Sequence, residues 1–493
     1  MILALLNLIV ATTSALNILM IAPTLSYSHI SFNAKIAEDL TSKGHKVVML
    51  VPDIDSEVPN PVGSFEVVRG DVGLDPRAFA STLWTNPGPY EDSSPLNLWI
   101  FVKLLRVSSL FVRACGALAS DHLLLNSLRG RQFDVGMLEQ YDSCGFGLFR
   151  VIGVTNFVWL SATGIYAGQP LTIGVNHPLS YAPNLFAPFG DEMSFLNRAQ
   201  NVLISAVTAL VFSYSRAQQS RIFWKTDLFA TARSSDSVLV NTLPMLDFAM
   251  PTSNKIAYIG GFTAQKEPKR MDTFWQQLAD SSSRGFILVT FGSIAKTMDM
   301  PLEMQDKFFT AFSQFPEITF IIKYETTNCT LRIPPNVQFT RWIPQAELMA
   351  HPNYLAVITH GGWSSILESI SVEKPLVLIP LFADHGKNSK VVEAKGAALI
   401  LDKMNLKVSD ITKAIADVTS KPRYREACIN LSRMMDDASP LKSADLLDYQ
   451  VRRAAKASRK KFPSTPRESQ RFPVNACIEI FIGISIAIVI TAS

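Results

Sequence analysis

Short apolar runs alternate with longer stretches in which apolar positions recur every three to four residues, and the alternation continues through both halves of the chain. Asn17 to Ala22 is the first such run. Ile30, Ala34, Ala37 and Leu40 then mark one face of a helix, Gly44 supplies its stop, and Val47 to Val51 is the next run. Strand, helix and strand in that order predict a βαβ unit whose working edge is the carboxyl end of its first strand. Gly285 to Ser293 predicts a strand ending in a glycine turn. Leu355 to Thr359 predicts a buried strand, closed by Gly361 and Gly362 and followed by a helix carrying Ile366, Leu367 and Ile370. Strands alternating with helices in both halves predict an α/β protein of two doubly wound, Rossmann-like domains facing a cleft. The length of 493 residues, 48% of them hydrophobic, suits two globular domains. The expected units are residues 16–262, a polar linker at 263–284, and residues 285–455.

The two ends read differently from the body. Residues 1–15 are apolar and finish Thr13-Ser14-Ala15, the pattern of a signal peptide that directs the chain into the endoplasmic reticulum. The sequons Asn328-Cys329-Thr330 and Asn430-Leu431-Ser432 are compatible with a lumenal body. A basic linker at 456–473 leads to an apolar segment at 474–492, read as a C-terminal membrane helix. That segment is shorter than the ~20 residues spanning usually takes. Its basic flank also lies on the side the positive-inside rule disfavours, so a cleaved GPI-type signal and an aberrant terminus stay open as alternatives. Five cysteines leave at least one unpaired and do not indicate a disulfide scaffold. A net charge of +4 with no aromatic-interleaved basic groove gives no reason to expect nucleic acid as a partner.

Candidate chemistry is concentrated between Trp342 and His385. A strand, a glycine turn and a helix start make an anion site, because glycine admits close backbone approach while unpaired N–H groups and the helix dipole favour phosphate. Ser364 and Ser365 lie in that helix's first turn, and His360 precedes the turn. Taken alone, this is more often an ordinary strand–helix connection with a capping serine. The flanks change the picture. Trp342 can stack on a base, typically worth ~1–3 kcal/mol, and Gln345 can read its edge. Glu368 shares the helix face of Ser364 and can accept from ribose hydroxyls. Asp384 and His385 follow the apolar run Pro375 to Leu381 and suit the hydroxyls of a sugar. Each residue has an ordinary structural explanation by itself, and their joint order is what points to a nucleotide sugar.

These motifs resemble the signature of the UDP-glycosyltransferases in their inverting, two-domain GT-B form, and the likeness covers nearly all of the chain before about Lys456. The resemblance implies that Trp342 stacks on uracil and Gln345 contacts the nucleoside. It implies that His360, Ser293, Ser365 and the backbone around Gly362 hold the diphosphate, with Glu368 on the ribose. Asp384 and His385 would contact the donor sugar. Glutamine is usual at the position of His385, which leaves the sugar open, and Ser364 stands where plant members often carry asparagine. Asn388 matches the family asparagine downstream of its aspartate–glutamine pair. Ser28-His29 matches the serine–histidine pair that carries the catalytic base, and a histidine can take a hydroxyl proton near neutral pH. Phe133-Asp134-Val135 matches the strand before the carboxylate that orients the base. That carboxylate falls on Glu139 rather than the usual aspartate, with Asp142 as its rival. Trp159 to Asn201 resembles the variable acceptor-binding region.

The expected activity is inverting transfer of glucose or glucuronic acid from a UDP-sugar to a hydroxyl of a small lipophilic acceptor. The UDP-sugar is co-substrate, and neither a further cofactor nor a metal is expected. Asp53-Ile54-Asp55 spells the carboxylate pair of metal-dependent glycosyltransferases but follows a strand in the other half, and it is read as a turn. The expected setting is the endoplasmic reticulum membrane with a lumenal catalytic body and a role in detoxification; homodimerisation is left open. The substitutions at Glu139 and His385 motivate a rival, a catalytically silent UDP-sugar-binding protein. A nicotinamide-linked dehydrogenase suits the fold class, but the first βα turn has no G-x-G-x-x-G.

Overall fold

The computed structural model describes residues 15–94, 97, 99–139, 141–165, 168–262, 271–326, 329–438 and 441–457. The signal-peptide segment before residue 15, the first part of the 263–284 linker, Asn328 and the apolar segment 474–492 lie outside the described residues.

Two parallel sheets organise the protein. The first contains β1 (Asn17–Ile21), β2 (Lys46–Pro52), β3 (Glu66–Gly70), β4 (Val135–Glu139), β5 (Phe157–Ser161), β6 (Ser237–Val240) and β7 (Ile256–Tyr258), in the order β3-β2-β1-β4-β5-β6-β7. The second contains β8 (Gly285–Thr290), β9 (Ile318–Lys323), β10 (Val337–Thr340), β11 (Tyr354–Thr359), β12 (Leu376–Leu378) and β13 (Ala398–Ile400), in the order β10-β9-β8-β11-β12-β13. Each sheet runs outward from its first strand and then resumes on the other side. The direction switches between β1 and β4 in one sheet and between β8 and β11 in the other. Connections diverge at such a point and leave a crevice beyond the strands' carboxyl ends. His29 follows β1, Glu139 ends β4, Ser293 follows β8 and His360 follows β11, so all four border the two crevices.

Helices cover both faces of each sheet, so the strands are nearly continuous apolar runs. Leu19, Leu50, Leu138 and Trp159 pack on one side of the first sheet, and Ile18, Met20, Val47 and Met49 on the other. The second side is completed by the helix Ser443–Lys456, which buries Leu447, Val451 and Ala454 against it. Asp448 of that helix lies 2.8 Å from His45 Nε2. The stretch 285–455 therefore carries the second sheet together with a helix that returns to the first.

A second crossing runs the other way. Tyr90, from the loop after the helix Ala78–Trp84, is buried in the second sheet's core beside Phe291 and Phe308. Trp84 Nε1 donates to the Ile294 carbonyl at 3.2 Å. Lys403 Nζ donates to Pro89 O at 2.9 Å and Ser93 Oγ at 3.0 Å, and burial brings this lysine's pKa down to about 8. Beside the cleft, Lys387 and Asp247 form a buried ion pair of 2.7 Å between the two halves. A disulfide joins Cys115 on the helix Trp99–Ser120 to Cys144, the first residue of the helix Cys144–Ile152 behind β4. Among the described residues Cys329 and Cys428 are free.

Candidate active site

His29 stands in the first turn of the helix Tyr27–Ser42, and its Nδ1 is 2.7 Å from Glu139 Oε1. Asn33, one turn further on the same face, donates from Nδ2 to Glu139 Oε2 at 2.6 Å and to the His29 carbonyl at 2.9 Å. The Ala162 N–H reaches Glu139 Oε1 at 3.3 Å. The Glu139 side chain is only 1% exposed, and a carboxylate this deeply buried requires such donors. With Glu139 accepting at Nδ1, the Nε2 lone pair of neutral His29 is directed away from its partner, as a base requires. Burial by itself depresses the pKa of His29. The charge and hydrogen bond of Glu139, with the charge of Asp384 across the cleft, outweigh it and hold the pKa above the ordinary histidine value. Asp142 is engaged elsewhere, accepting from Gln219 Nε2 at 2.6 Å and the Cys144 N–H at 3.0 Å, and burial raises its carboxyl pKa to about 6.

Tyr141 completes this cluster and was not legible in any motif. Its hydroxyl lies 2.7 Å from His29 Nε2 and 3.2 Å from Glu139 Oε1, and it also touches His29 Nδ1. The two rings meet edge-on, with centroids 4.9 Å apart. A hydroxyl approaching Nε2 from the cleft has to displace that of Tyr141. Asn33 was legible in principle, because it repeats the face of His29 at a spacing of four.

At the second sheet, Trp342 is half exposed just beyond β10. Lys323 Nζ sits 5.7 Å from its ring, and Tyr27 of the first half packs edge-on against it with centroids 4.7 Å apart. Gln345 opens the short helix Gln345–Met349 and donates from Nε2 to Ser365 Oγ at 2.9 Å and to Glu368 Oε2 at 2.7 Å. Trp342, Gln345, Ser365 and Glu368 thus belong to one stretch of wall. Burial raises the pKa of Glu368, opposed by the charge of Lys35 from the first half and by the Gln345 bond. Ser364 is part-exposed in the first turn of the helix Trp363–Ser371, which Gly362 caps, and Ser293 is exposed beyond Gly292.

His360 fills the gap between two glycines. A Cβ on Gly292 would lie 2.9 Å from its ring, and one on Gly362 would lie 2.6 Å from its Nε2. Burial lowers the His360 pKa to about 4, so the ring is neutral at physiological pH. The Thr359 hydroxyl lies 3.0 Å from its Nδ1. Gly362→Ala is expected to push this ring aside and to weaken UDP binding by at least ~10-fold, a loss of about 1.4 kcal/mol that titration calorimetry would read. Unchanged affinity would show that the ring can move at no cost.

Asp384 caps the helix His385–Ala394, and its Oδ2 accepts from Asn388 Nδ2 at 2.7 Å. Asn388 also donates to Gly361 O at 3.2 Å, which ties the two loops together. His385 is only 7% exposed. Its ring packs edge-on against His360, with centroids 4.4 Å apart, and against Phe382, whose N–H donates to its Nδ1 at 3.3 Å. Burial above all, with the Lys403 charge beside it and the unfavourable pairing of a second cation with His360, drives its pKa well below the ordinary value. In the 53–55 turn, Asp53 accepts from Arg69 at 3.3 Å and Asp55 Oδ1 from the Glu57 N–H at 3.0 Å. Among the described residues no group of three or more His, Cys, Asp or Glu side chains is placed to hold a metal ion.

Two doubly wound sheets with these two crevices define a GT-B glycosyltransferase. The family model described as UDP-glucoronosyl and UDP-glucosyl transferase matches residues 17–453, and the chain belongs to that family. A Caenorhabditis elegans protein provisionally named UDP-glucuronosyltransferase ugt-60 is 27% identical over 470 residues, covering 90% of each chain. The 2-hydroxyacylsphingosine 1-beta-galactosyltransferase of Mus musculus is 26% identical over 439 residues, covering 87% of this chain and 78% of its own. Among solved structures, Os79 from O. sativa in complex with U2F and trichothecene aligns with a TM-score of 0.63 at 17% identity, over 89% of this chain and 100% of that one. That level of identity speaks to the fold.

Proposed function

We propose that this glycosyltransferase moves a hexosyl group from a UDP-sugar to a hydroxyl of a small lipophilic acceptor, with inversion and with His29 as general base. The observation that carries the reading is the 2.7 Å bond between His29 Nδ1 and the buried Glu139, at the direction switch of the first sheet. The acceptor hydroxyl displaces the Tyr141 hydroxyl and gives its proton to Nε2 as its oxygen attacks the anomeric carbon. The bond from that carbon to the β-phosphate oxygen breaks, and the electron pair leaves with UDP. Glu139 stabilises the imidazolium that forms. Trp342 and Gln345 hold the nucleoside and Glu368 the ribose, while His360, Ser293, Ser364, Ser365 and the N–H groups near Gly362 meet the charge on the diphosphate. Asp384 faces the sugar. His385 acts on the sugar site mainly by fixing His360, given how it is packed.

Glucose and glucuronic acid are the leading donors; His385 leaves galactose open as well, and the mouse relative's name supports keeping it in the set. The scheme uses no metal. The Cys115–Cys144 disulfide suits a lumenal body, and Asn430 is exposed on the helix Pro422–Asp437, where a glycan has room. UDP release by the full chain, offered each of the three donors with phenols and lipophilic alcohols, with and without chelator, tests the reading. Release with one donor, undiminished by chelator, is the expected result. UDP binding without release for any donor would favour a silent binder, and chelator sensitivity would bring a metal back.

A further inference from the structure

The helix Phe195–Ile222 is built inside out for a surface helix. Its buried residues are Asn201, Ile204, Thr208, Val211, Ser215 and Gln219, most of them polar. Its exposed face carries Leu196, Leu203 and Leu210 at a repeat of seven, flanked by Phe195 and Tyr214. Leu196 is 64% exposed and Leu210 53%. A helix facing water normally shows the opposite pattern, apolar residues inward and polar ones outward. This one is also the only helix among the described residues long and apolar enough to cross a membrane by length and composition.

It does not cross one, because its inner face is bonded into the domain. Asn201 Nδ2 donates to Leu179 O at 2.8 Å and Ala182 O at 2.9 Å, and Gln219 bonds Asp142 at 2.6 Å and the Ser143 N–H at 3.0 Å. Lifting the helix out would orphan all of these groups. Within the helix itself the charges are one-sided. From Ser194 to Thr226 there is no acidic residue, while Arg198, Arg221 and Lys225 are exposed. Asp191 and Glu192 lie just before that stretch and Asp227 just after it. Trp224, 81% exposed, projects just past the helix end, and tryptophan is enriched at the level of lipid headgroups.

We propose that the outer face of this helix is a membrane-docking surface, lying flat in the headgroup–acyl boundary of a bilayer that contains anionic lipid. An apolar stripe that ends in Arg221, Trp224 and Lys225 is the composition that binds there. Docking leaves the loop 179–194, bonded to Asn201, and the Asp142–Ser143 turn, bonded to Gln219, one helix thickness behind the lipid surface. The surface stands whether or not the proposed acceptor and base are right.

Nitroxide labels on Leu203→Cys and Leu210→Cys in the full chain, reconstituted into phosphatidylcholine–phosphatidylserine vesicles, test this directly. Glu303→Cys, on a distant exposed helix, is the aqueous control. The expected result is a collision rate severalfold higher with oxygen than with a water-soluble nickel complex at 203 and 210, and the reverse at 303. Because the labels sit on the face itself, attachment through another part of the chain does not mimic this outcome. Nickel-favoured collisions at all three positions would overturn the proposal. So would exclusion of both reagents with spin–spin broadening, which would assign the face to a second copy. Quenching by lipids brominated along their chains, read as the difference between the parent and Trp224→Phe, gives the same decision without altering the stripe. Quenchable Trp224 emission is expected, and no difference would overturn the proposal.

Discussion

The His29→Ala protein is expected to bind UDP as the parent does and to transfer sugar slower by a factor on the order of 10²–10⁴, the usual contribution of a positioned general base. The loss falls on turnover because His29 lies in the first sheet's crevice, whereas Trp342, Gln345 and Glu368 form a wall on the second. Product formation at saturating donor, set beside calorimetric UDP affinity, separates the two effects. Unchanged turnover would place the base elsewhere. A parallel loss of UDP affinity would mean that His29 holds the two halves together rather than taking a proton.

Glu139→Gln is the sharper experiment. Glutamine keeps the shape but offers an amide where Nδ1–H needs an acceptor with charge, so the imidazole is biased to the wrong tautomer, with a loss reaching ~10⁴-fold. The pH profile carries the distinguishing sign. His29 must be neutral to act, so activity in the parent falls as pH drops through a pKa held above the ordinary histidine value. Without the Glu139 charge that pKa falls, and the acidic limb of the profile moves to lower pH. A purely structural role would scale the whole profile down and leave the limb in place. Glu139→Asp restores the charge and is expected to recover part of the rate and return the limb. A mutant limb at the parent's pH would remove Glu139 from the mechanism.

The parallel α/β architecture was legible because it is written locally. Gly44, Gly361 and the apolar runs around them fix where strands stop and helices start. The candidate site was legible where function sits at those junctions, as with His29 after β1 and His360 after β11. Contacts between distant segments were not. The placement of Tyr141 on His29 depends on the turn after β4, and that of Tyr27 on Trp342 depends on how two sheets meet. No residue spacing encodes either distance. Tyr90 reads as a loop residue until the second core is seen around it. The Cys115–Cys144 pairing depends on two helices meeting beside β4, and five cysteines alone do not select it. For His385, sequence position beside Asp384 suggested a shared role. The fold adds the partners that spacing does not encode: the Asp384 carboxylate accepts from Asn388, and the His385 ring packs on His360.

The return of Ser443–Lys456 to the first sheet has a consequence for biosynthesis. When a ribosome has made residues through 262, all strands of the first sheet exist, yet the groove that receives Leu447, Val451 and Ala454 is still bare. It stays bare while the entire second sheet is translated. The nascent chain thus carries an uncovered apolar strip throughout translation of the second sheet, a state prone to misassociation. A message truncated before this helix would yield a first half that is topologically complete and permanently unsealed, a substrate for chaperones and proteolysis rather than a free-standing domain.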